Sequence, residues 1–310
     1  MTQPVKRKRV PVHGVLLLDK PVGMSSAQAL AKAKWLLNAQ KAGHTGTLDP
    51  FATGLLPLCF GEATKFAQDL LDADKTYETV VHLGITTDTG DTEGTILTQQ
   101  IVDVTVAQIE SVLEQFRGPI SQVPPMHSAL KRDGKPLYEY ARAGITLERE
   151  ARDVTIHQLD LLAYDAPILR LRVACSKGTY IRVLGEDIGA ALGCGAHLSA
   201  LRRTVIGALD VSSALTLDQL AEHPAADRNS CLQPVDSLLS SFPALVLDDA
   251  LASRFRQGQL IALDRAGVVP PCESGRVRVY QAPHCLLGTA QLSDGTVLAP
   301  ERLLADIASH

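Results

Sequence analysis

Strand-like and helix-like periodicities follow one another along this chain in no fixed order. Residues 76–85 alternate between apolar and polar side chains, and long strand-like runs follow at 151–164 and 168–176. Residues 105–116 and 179–192 instead repeat apolar side chains at helical spacing. A regular succession of strand, helix and strand would indicate a parallel sheet, but the order here is irregular. The order of elements therefore predicts an α+β fold.

The N-terminal segments fit the same mixed pattern. An apolar run at 13–19 indicates a buried strand, and Ser25 or Ser26 is placed to cap a helix that continues to about Asn38. Further predicted elements are a strand at 55–60, a helix at 62–71, a hairpin turn at Asp133-Gly134 and a short helix at 138–143.

The pattern changes near residues 235–243, where periodicity is weak and prolines interrupt the chain. After this boundary a short helix is followed by four strand-like runs with glycine-containing turns. We therefore expect one domain at 10–240 and a small, strand-rich domain at 243–310. Within the first domain, the loose and proline-containing stretch 118–152 reads as an insertion.

Composition argues against several classes of protein. No apolar run reaches the roughly 20 residues that span a bilayer, and the apolar stretch after the basic residues 6–9 is too short for a signal peptide. We therefore expect a cytoplasmic protein without a membrane partner. The six cysteines form no Cys-x-x-Cys pair, and Cys194 and His197 lack a second pair, so no metal is expected. The acidic segment 88–94 lacks calcium-loop spacing and predicts a turn-rich loop.

Charge is distributed unevenly along the chain. The net charge is −4, yet residues 1–65 contain nine Lys or Arg against three Asp or Glu. Residues 66–94 are acidic, with seven Asp or Glu against one Lys. A basic segment on an acidic protein can still bind phosphates, because the local potential matters more than the net charge. Ordinary solvated charge is an equal alternative.

The segment 43–54, GHTGTLDPFATG, is the most unusual in the chain. Its three glycines let the backbone turn tightly or approach a ligand closely. It lacks the Lys-Ser/Thr pair of a phosphate-binding P-loop, so a nucleoside triphosphate site is not expected. Asp49, which precedes Pro50, either fixes a turn through nearby backbone amides or acts as a nucleophile. The loop by itself leaves both interpretations open.

Four segments match one enzyme family in order and spacing, namely 14–21 (GVLLLDKP), 43–54, 75–77 (KTY) and 177–182 (KGTYIR). From about residue 13 to 220 the chain resembles the TruB-type tRNA pseudouridine synthases. Residues 244–305 resemble, more loosely, the RNA-binding PUA module that often ends such enzymes. The resemblance implies a pseudouridine synthase fold with a mixed, largely antiparallel sheet, followed by a β-rich PUA-like domain.

By this resemblance, Asp49 is the essential catalytic residue. Pseudouridine formation breaks the bond from C1′ to N1 and joins C1′ to C5, so the ribose is held while the uracil rotates. A carboxylate can attack or stabilise the anomeric carbon, while family mechanisms also include removal of the 2′ hydrogen to give a glycal. The resemblance implies Arg182 as the cation that keeps Asp49 ionised in a closed site. No cofactor is implied.

The resemblance also places four side chains around the target base. Tyr77 would stack on the uracil, and Tyr180 and Leu201 would line the pocket walls; stacking contributes roughly 1–3 kcal/mol per base. Tyr77 would also help to remove the C5 proton. His44 matches the histidine that helps to displace the base. Without the family, each tyrosine fits a core position equally well, and His44 fits a loop position facing solvent.

Phosphate contacts are implied for Lys20, Lys65, Arg202 and Arg203, with solvated surface charge as the alternative for each. The implied substrate is the uridine at position 55 in the T-loop of tRNA, recognised within the T-arm stem-loop. We expect a monomer that needs no guide RNA.

Two other functions stay open at this stage. A non-catalytic RNA-binding protein could use the same cleft to unfold and refold a T-loop, although Asp49 and Arg182 together favour catalysis. A guide-RNA-dependent synthase modifies ribosomal RNA within a protein complex. The insertion at 118–152 and the short N-terminus favour the stand-alone enzymes.

Overall fold

The computed structural model describes residues 8–282 and 285–305, and two large sheets, of nine and five strands, dominate that part of the chain. The strands that precede residue 240 are β1 (Gly14–Lys20), β2 (Ala42–His44), β3 (Thr53–Phe60), β4 (Lys75–Leu83), β5 (Ile85–Thr87), β6 (Ile96–Gln99), β7 (Gly118–Gln122), β8 (Lys131–Arg132), β9 (Lys135–Pro136), β10 (Arg152–Asp165), β11 (Ile168–Cys175), β12 (Ala196–Ile206) and β13 (Leu209–Asp210).

Six α-helices lie in the described part of the chain before residue 240. They are α1 (Ser26–Leu36), α2 (Ala67–Leu71), α3 (Val106–Gln115), α4 (Leu137–Arg142), α5 (Ile181–Ala191) and α6 (Leu217–Glu222), with 3₁₀ helices at Gly61–Phe66, Val211–Ser213, Arg228–Cys231 and Val235–Leu239. No helix in the described ranges is both long and apolar enough to cross a membrane.

The nine-stranded sheet has the order β1-β3-β12-β4-β11-β10-β7, with β2 beside β3 and β13 beside β12. Among its described strands, β3 and β12 form the parallel pair, and the other neighbours are antiparallel. The predicted α+β fold with a mixed, largely antiparallel sheet is therefore confirmed. Alternation explains the central strand β4, since every second residue from Lys75 to Leu83 is buried.

Capping boxes begin α1 and α3, and Ser25 is one of the two residues predicted to cap α1. Ser25 accepts a hydrogen bond from the backbone N–H of Gln28, whose side chain accepts one from the N–H of Ser25. Thr105 and Gln108 form the same capping box at the start of α3. The hairpin turn at Asp133-Gly134 is also confirmed, because both residues have positive φ between β8 and β9.

Three segments differ from their sequence predictions. The helix expected at 62–71 begins as the 3₁₀ helix Gly61–Phe66 and becomes α-helical only at Ala67. Strand β12 was not predicted, although it lies in the middle of the sheet. The insertion expected at 118–152 is shorter, because its first residues form β7, which pairs with β10 in the sheet. The segment between these two strands is 123–151.

The second sheet lies beyond residue 243. Its strands are β14 (Ala244–Leu247), β15 (Ile261–Ala262), β16 (Gly275–Gln281), β17 (Cys285–Ser293) and β18 (Val297–Leu303), in the order β14-β16-β17-β18-β15, with α7 (Asp249–Arg256) and α8 (Leu263–Ala266) beside them. This sheet has a hydrophobic core of its own, centred on Phe255, Val277 and Leu292.

Polar and apolar contacts join the two sheets. Arg276 of β16 forms ion pairs with Asp69 of α2 and, 2.6 Å away, with Glu301 of β18. Tyr280 donates a hydrogen bond of 2.7 Å to Asp236, and Leu286 packs against the cluster of buried side chains around the 3₁₀ helix Val235–Leu239. The second sheet thus rests against the two segments that follow β3 and precede β14.

Candidate active site

Asp49 lies in the loop between β2 and β3, and the fold fixes that loop from one side. The hydroxyl of Ser26, the first residue of α1, accepts a hydrogen bond of 2.8 Å from the N–H of Leu48 and donates one of 3.0 Å to its carbonyl. The N–H of Ala52 donates to the carbonyl of Asp49 at 3.1 Å, which closes a turn. The carboxylate is therefore presented from a rigid backbone.

Gly54 brings the end of this loop against β12. Its φ is +98°, and a Cβ atom here would lie 2.2 Å from the carbonyl oxygen of Arg203. Thr53 and Gly54 pair in parallel with Arg202 and Arg203 at this point. Only glycine permits so close an approach, which anchors the loop of Asp49 to the centre of the sheet.

Arg182 holds the carboxylate of Asp49. Its Nε lies 3.0 Å from Oδ2 of Asp49, and its Nη1 lies 3.4 Å from Oδ2 of Asp91. Its Nη1 donates to the carbonyl of Thr89 at 2.7 Å, and its Nη2 donates to the carbonyl of His127 at 2.5 Å. The Arg182 side chain is 5% exposed, so the guanidinium is a buried cation with partners on every nitrogen.

The pKa of Asp49 is set by opposing influences. Burial raises it above the ordinary value of 3.8, and the charge of Asp91 raises it further. The guanidinium of Arg182, through its charge and its hydrogen bond, and the ammonium of Lys20 lower it. The net shift is upward, so the cations limit a shift that burial would otherwise make larger.

Six of the predicted site residues line one cavity of about 360 Å³. They are Asp49, Tyr77, Tyr180, Arg182, Leu201 and Arg203. Tyr77 on β4 and Leu201 on β12 come from neighbouring central strands, and Tyr180 immediately precedes α5. The cavity thus combines one carboxylate, two aromatic rings, an apolar wall and the three buried basic side chains Lys75, Arg182 and Arg203. A cavity of this volume suits a small organic group such as a nucleoside.

A larger cavity, of about 460 Å³, lies beside this one. Thr89 and His127, whose carbonyls accept hydrogen bonds from Arg182, contribute to its lining, as do Val183 and Glu186. Asp49 and both tyrosines line only the smaller cavity. We therefore take the smaller cavity as the candidate active site, since chemistry needs the reactive group inside.

Tyr77 is buried and remains a phenol. Burial raises its pKa above 10.0, and the nearby guanidinium of Arg203 opposes the shift. A phenol ring on the wall of the cavity can stack on a base and donate a hydrogen bond. Proton removal by the phenolate form is disfavoured in the free protein, because that form is scarce at neutral pH.

His44 lies outside the group that lines the cavity. It ends β2 and is half-buried, and its buried Nδ1 has no hydrogen-bond partner among the described residues. Burial lowers its pKa, and the charge of Arg203 lowers it further, so the ring is neutral at pH 7. Its contact with a displaced base stays a prediction.

The phosphate contact predicted for Lys20 is wrong. The residue is fully buried, and its ammonium donates to the carbonyls of Pro21 at 2.8 Å, Met24 at 2.6 Å and Pro50 at 3.3 Å. Burial lowers its pKa to about 8, partly offset by the charge of Asp49. Lys20 instead ties the chain after β1 to the loop that carries Asp49.

The phosphate contact predicted for Arg203 is also wrong. Its side chain is 1% exposed, and its guanidinium donates to the carbonyls of Leu55 at 2.8 Å and Gly46 at 3.1 Å. These bonds hold both ends of the loop 46–55 against β12. Arg203 therefore shapes the wall of the cavity from inside the protein.

Lys65 and Arg202 are partly exposed, with 33% and 40% of their side chains accessible. Lys65 contacts Glu62 at 2.6 Å and the carbonyl of Leu303 at 2.8 Å. Arg202 forms a two-pronged ion pair with Asp19, at 3.0 and 2.7 Å. Both have internal partners, and their contacts with RNA stay predictions.

Asp91 is the site residue that the sequence did not reveal. The turn-rich loop predicted at 88–94 is present, since one carboxylate oxygen of Asp91 accepts from the hydroxyl of Thr89 at 2.6 Å and from the N–H of Glu93 at 2.9 Å. The other oxygen faces Arg182. Asp91 is 2% exposed. A buried carboxylate needs a nearby cation, but the spacing of residues in the sequence does not indicate that this loop contacts Arg182.

Sequence comparison gives three matches to models of one family. Residues 34–181 match the TruB family pseudouridylate synthase N-terminal domain, residues 182–240 the tRNA pseudouridylate synthase B C-terminal domain, and residues 243–304 the Pseudouridine synthase II TruB C-terminal model. A Burkholderia lata protein named tRNA pseudouridine synthase B is 60% identical, over 98% of this chain and 94% of its own. A Cupriavidus metallidurans protein of the same name is 57% identical, over 98% of both chains.

Two solved structures share the fold. The chain matched in the crystal structure of a Cbf5-Nop10-Gar1 complex has a TM-score of 0.72 and 27% identity, over 94% of this chain and 84% of its own. The chain matched in an H/ACA RNP bound to a substrate RNA containing 2′-deoxyuridine has a TM-score of 0.73 and 25% identity, over 96% and 86%.

The fold and the cavity agree with these similarities. The protein is a pseudouridine synthase, an enzyme that isomerises uridine in RNA. The family matches cover most of the chain, and the relatives are aligned over nearly their whole length. The chain belongs to the TruB family of pseudouridine synthases.

Proposed function

We propose that this protein converts the T-loop uridine of tRNA, at position 55, to pseudouridine, with Asp49 as the reacting carboxylate. The observation that carries the proposal is the ion pair of 3.0 Å between Asp49 and Arg182, because it places a cation-bound carboxylate inside a cavity of nucleoside size. The names of the relatives at 57% and 60% identity support tRNA as the substrate.

Entry into the cavity requires the uridine to leave the RNA stack. Tyr77 and Tyr180 then offer flat aromatic surfaces to the base, and Leu201 closes an apolar side. Stacking on such rings contributes roughly 1–3 kcal/mol per base, which offsets part of the cost of unstacking. The base is thereby held while its ribose faces the carboxylate.

Both chemical routes begin at the ionised carboxylate of Asp49. In one, it attacks C1′ as the bond from C1′ to N1 breaks and the uracil leaves as an anion; after the uracil rotates, C5 bonds to C1′ as the bond from C1′ to Asp49 breaks. In the other, it removes the 2′ proton as the bond from C1′ to N1 breaks, giving a glycal and a uracil anion; C5 then bonds to C1′ as the proton returns from Asp49 to C2′. Either route ends with loss of the C5 proton from the rejoined base, and neither consumes a co-reactant.

Arg182 serves the reaction in two ways. Its charge opposes the rise in the pKa of Asp49 that burial causes, so more of the carboxylate is ionised. Its bonds to the carbonyls of Thr89 and His127 fix the guanidinium, which in turn fixes the direction of the carboxylate.

The second sheet, at 244–303, is proposed as a PUA-like RNA-binding module. Arg254, Arg265 and Arg302 are exposed on this part of the chain, and the sheet packs against α2, whose neighbour Lys65 is partly exposed. Such a module would add affinity through phosphate contacts rather than chemistry.

The proposal is tested with unmodified tRNA labelled with tritium at uracil C5. Purified protein should release the label without guide RNA, partner protein or nucleotide, and in the presence of EDTA, and the product should map to position 55. A T-arm stem-loop should serve as well. Arg182→Ala should lower the rate by about 100-fold or more, since the carboxylate loses its cation and its position. Release that depends on an added guide RNA, or a product at another position, would overturn the proposal.

A further inference from the structure

Gln122 is the last residue of β7. It lies next to the start of α5 in space, although the two are 58 residues apart in the sequence. Its Oε1 accepts a hydrogen bond of 3.0 Å from the N–H of Tyr180, and its Nε2 donates one of 3.3 Å to the carbonyl of Tyr180. Gln122 is buried, with an exposed fraction of 2%. One amide group therefore binds both polar backbone atoms of a residue that lines the active cavity.

This contact replaces a cap that α5 lacks. The described helices α1, α3 and α6 each begin with a capping box, in which a glutamine three residues into the helix accepts from the N–H of the capping residue. In α5 the capping residue is Tyr180, whose side chain makes no capping bond in the described structure. The residue at the glutamine position is Val183, which has no acceptor.

The sequence explains why the helix does not cap itself. Tyr180 is directed to the cavity, and Val183 lines the neighbouring cavity, so neither side chain is a polar cap. Without Gln122, the N–H of Tyr180 would be unsatisfied in a partly buried place, which is destabilising. Gln122 supplies from another strand the interaction that the helix supplies itself elsewhere.

The first turn of α5 decides where Arg182 and Tyr180 point. Arg182 is the second residue of the helix, and its Nε lies 3.0 Å from Asp49. A displacement of the helix start would move both the guanidinium and the aromatic wall of Tyr180. A misplacement of about 1 Å in such groups lowers rates by about 100-fold.

We propose that Gln122 is a positioning residue for catalysis, which acts by capping α5 from outside and so sets Tyr180 and Arg182 relative to Asp49. It touches neither substrate nor carboxylate. The inference rests on the proposed function. If the wild-type protein releases no tritium, the proposed function fails; if the wild type is active and the Gln122 variant is equally active, only this inference fails.

The test uses Gln122→Met, which keeps side-chain length but removes both hydrogen bonds. In the full-length protein we expect single-turnover tritium release to fall by about 100-fold, while the tRNA dissociation constant changes by less than about threefold. Gln108→Met is the matched control, because it removes the same kind of cap bond at α3, which carries no cavity residue. The control should keep the wild-type rate.

Rescue separates positioning from general packing. Adding Val183→Gln to Gln122→Met restores an acceptor for the N–H of Tyr180 from within α5, and we expect it to recover at least about tenfold of the lost rate. If Gln122→Met does not fold, Gln122→Asn, too short to reach both atoms, takes its place in both measurements. A wild-type rate in the single variant, or a loss that Val183→Gln does not reduce, would overturn the proposal.

Discussion

Burial of Asp49 favours the protonated form of its carboxyl group, and the ion pair with Arg182 favours the ionised form. Burial raises its pKa above 3.8, so the folded state prefers the proton more than the unfolded chain does. By linkage, the stability associated with this group is fully present below the unfolded pKa and is lost as pH rises through the folded pKa. Ionisation of Asp49 therefore opposes folding, and the proposed reaction uses that charged form.

The same shift predicts how activity depends on pH. Since the proposed reaction uses the ionised carboxylate, single-turnover tritium release should fall as pH falls through the pKa of Asp49, so the acid limb should lie above 3.8. Arg182→Lys, which keeps the charge but loses the fixed geometry, should move the limb to higher pH.

Glu186 provides the control for this measurement. Burial raises its pKa to about 7, and it lies one helical turn beyond Arg182 on α5. If Glu186 caused the limb, Glu186→Gln would abolish it. We expect that variant to keep the acid limb of the wild type, and its disappearance would contradict the assignment to Asp49.

At this scale the pairing of Asp49 with Arg182 was predictable, and the side chains that hold the loop of Asp49 were not. Asp49 and Arg182 lie in distinctive motifs, and the structure places them 3.0 Å apart. Lys20 lies in an equally distinctive motif, and the resemblance also singled out Arg203, but both are buried and bind backbone carbonyls. A motif shows that a residue matters, whereas burial decides whether its charge faces RNA or the protein.

At the scale of elements, β12 connects the parts of the site. It pairs with β4, which carries Tyr77, and in parallel with the start of β3, which follows the loop of Asp49. Arg203 adds two side-chain bonds to that loop. The carboxylate, the aromatic wall and the apolar wall therefore share one rigid support.

Two adjacent arginines on β12 allow a matched test of this support. Arg203→Ala leaves the carbonyls of Leu55 and Gly46 without their donor in a buried place, at about 1–3 kcal/mol each, and opens a cavity. We expect the free energy of unfolding to fall by about 3 kcal/mol or more.

Arg202→Ala is the control, since it removes a partly exposed ion pair with Asp19. Such pairs contribute about 0–1 kcal/mol. Denaturant unfolding followed by circular dichroism measures both variants. Equal losses for Arg202→Ala and Arg203→Ala would show that the buried hydrogen bonds of Arg203 do not hold the loop.

The irregular pairing of β12 explains why the strand was not predicted. Its register with β4 shifts between Leu198 and Ala200, and again between Arg203 and Val205. Each bulge resets the alternation of inward and outward side chains, so no period of two survives across the strand. Strands β4 and β11, which pair with each other without shifts, alternate clearly and were predicted.

At the scale of the whole molecule, the two sheets are held together by contacts between distant residues. Asp69 and Arg276 form an ion pair, and the hydroxyl of Tyr280 donates to Asp236 at 2.7 Å. The sequence showed a change of pattern near 235–243, but not how the two parts meet. That arrangement depends on pairs far apart in the chain, which leave no local periodicity.

Truncation after residue 240 should therefore have two effects. The tRNA dissociation constant should rise and its salt dependence should weaken, because phosphate contacts are lost. The melting temperature should also fall, because Leu238 and Leu239 lose the cover of Leu286 and Leu304. Turnover at saturating tRNA should persist, since the cavity residues all precede residue 240. An unchanged dissociation constant and salt slope would mean that the second sheet does not bind RNA.

The most direct test of the whole mechanism compares Asp49→Asn with the wild type on the same C5-labelled tRNA. The amide keeps the shape of the carboxylate but cannot act as its nucleophile or base, so single-turnover release should fall to background, while the tRNA dissociation constant stays within about tenfold. Release of tritium by Asp49→Asn clearly above background, with the product still at position 55, would contradict the central claim that the carboxylate of Asp49 carries the reaction.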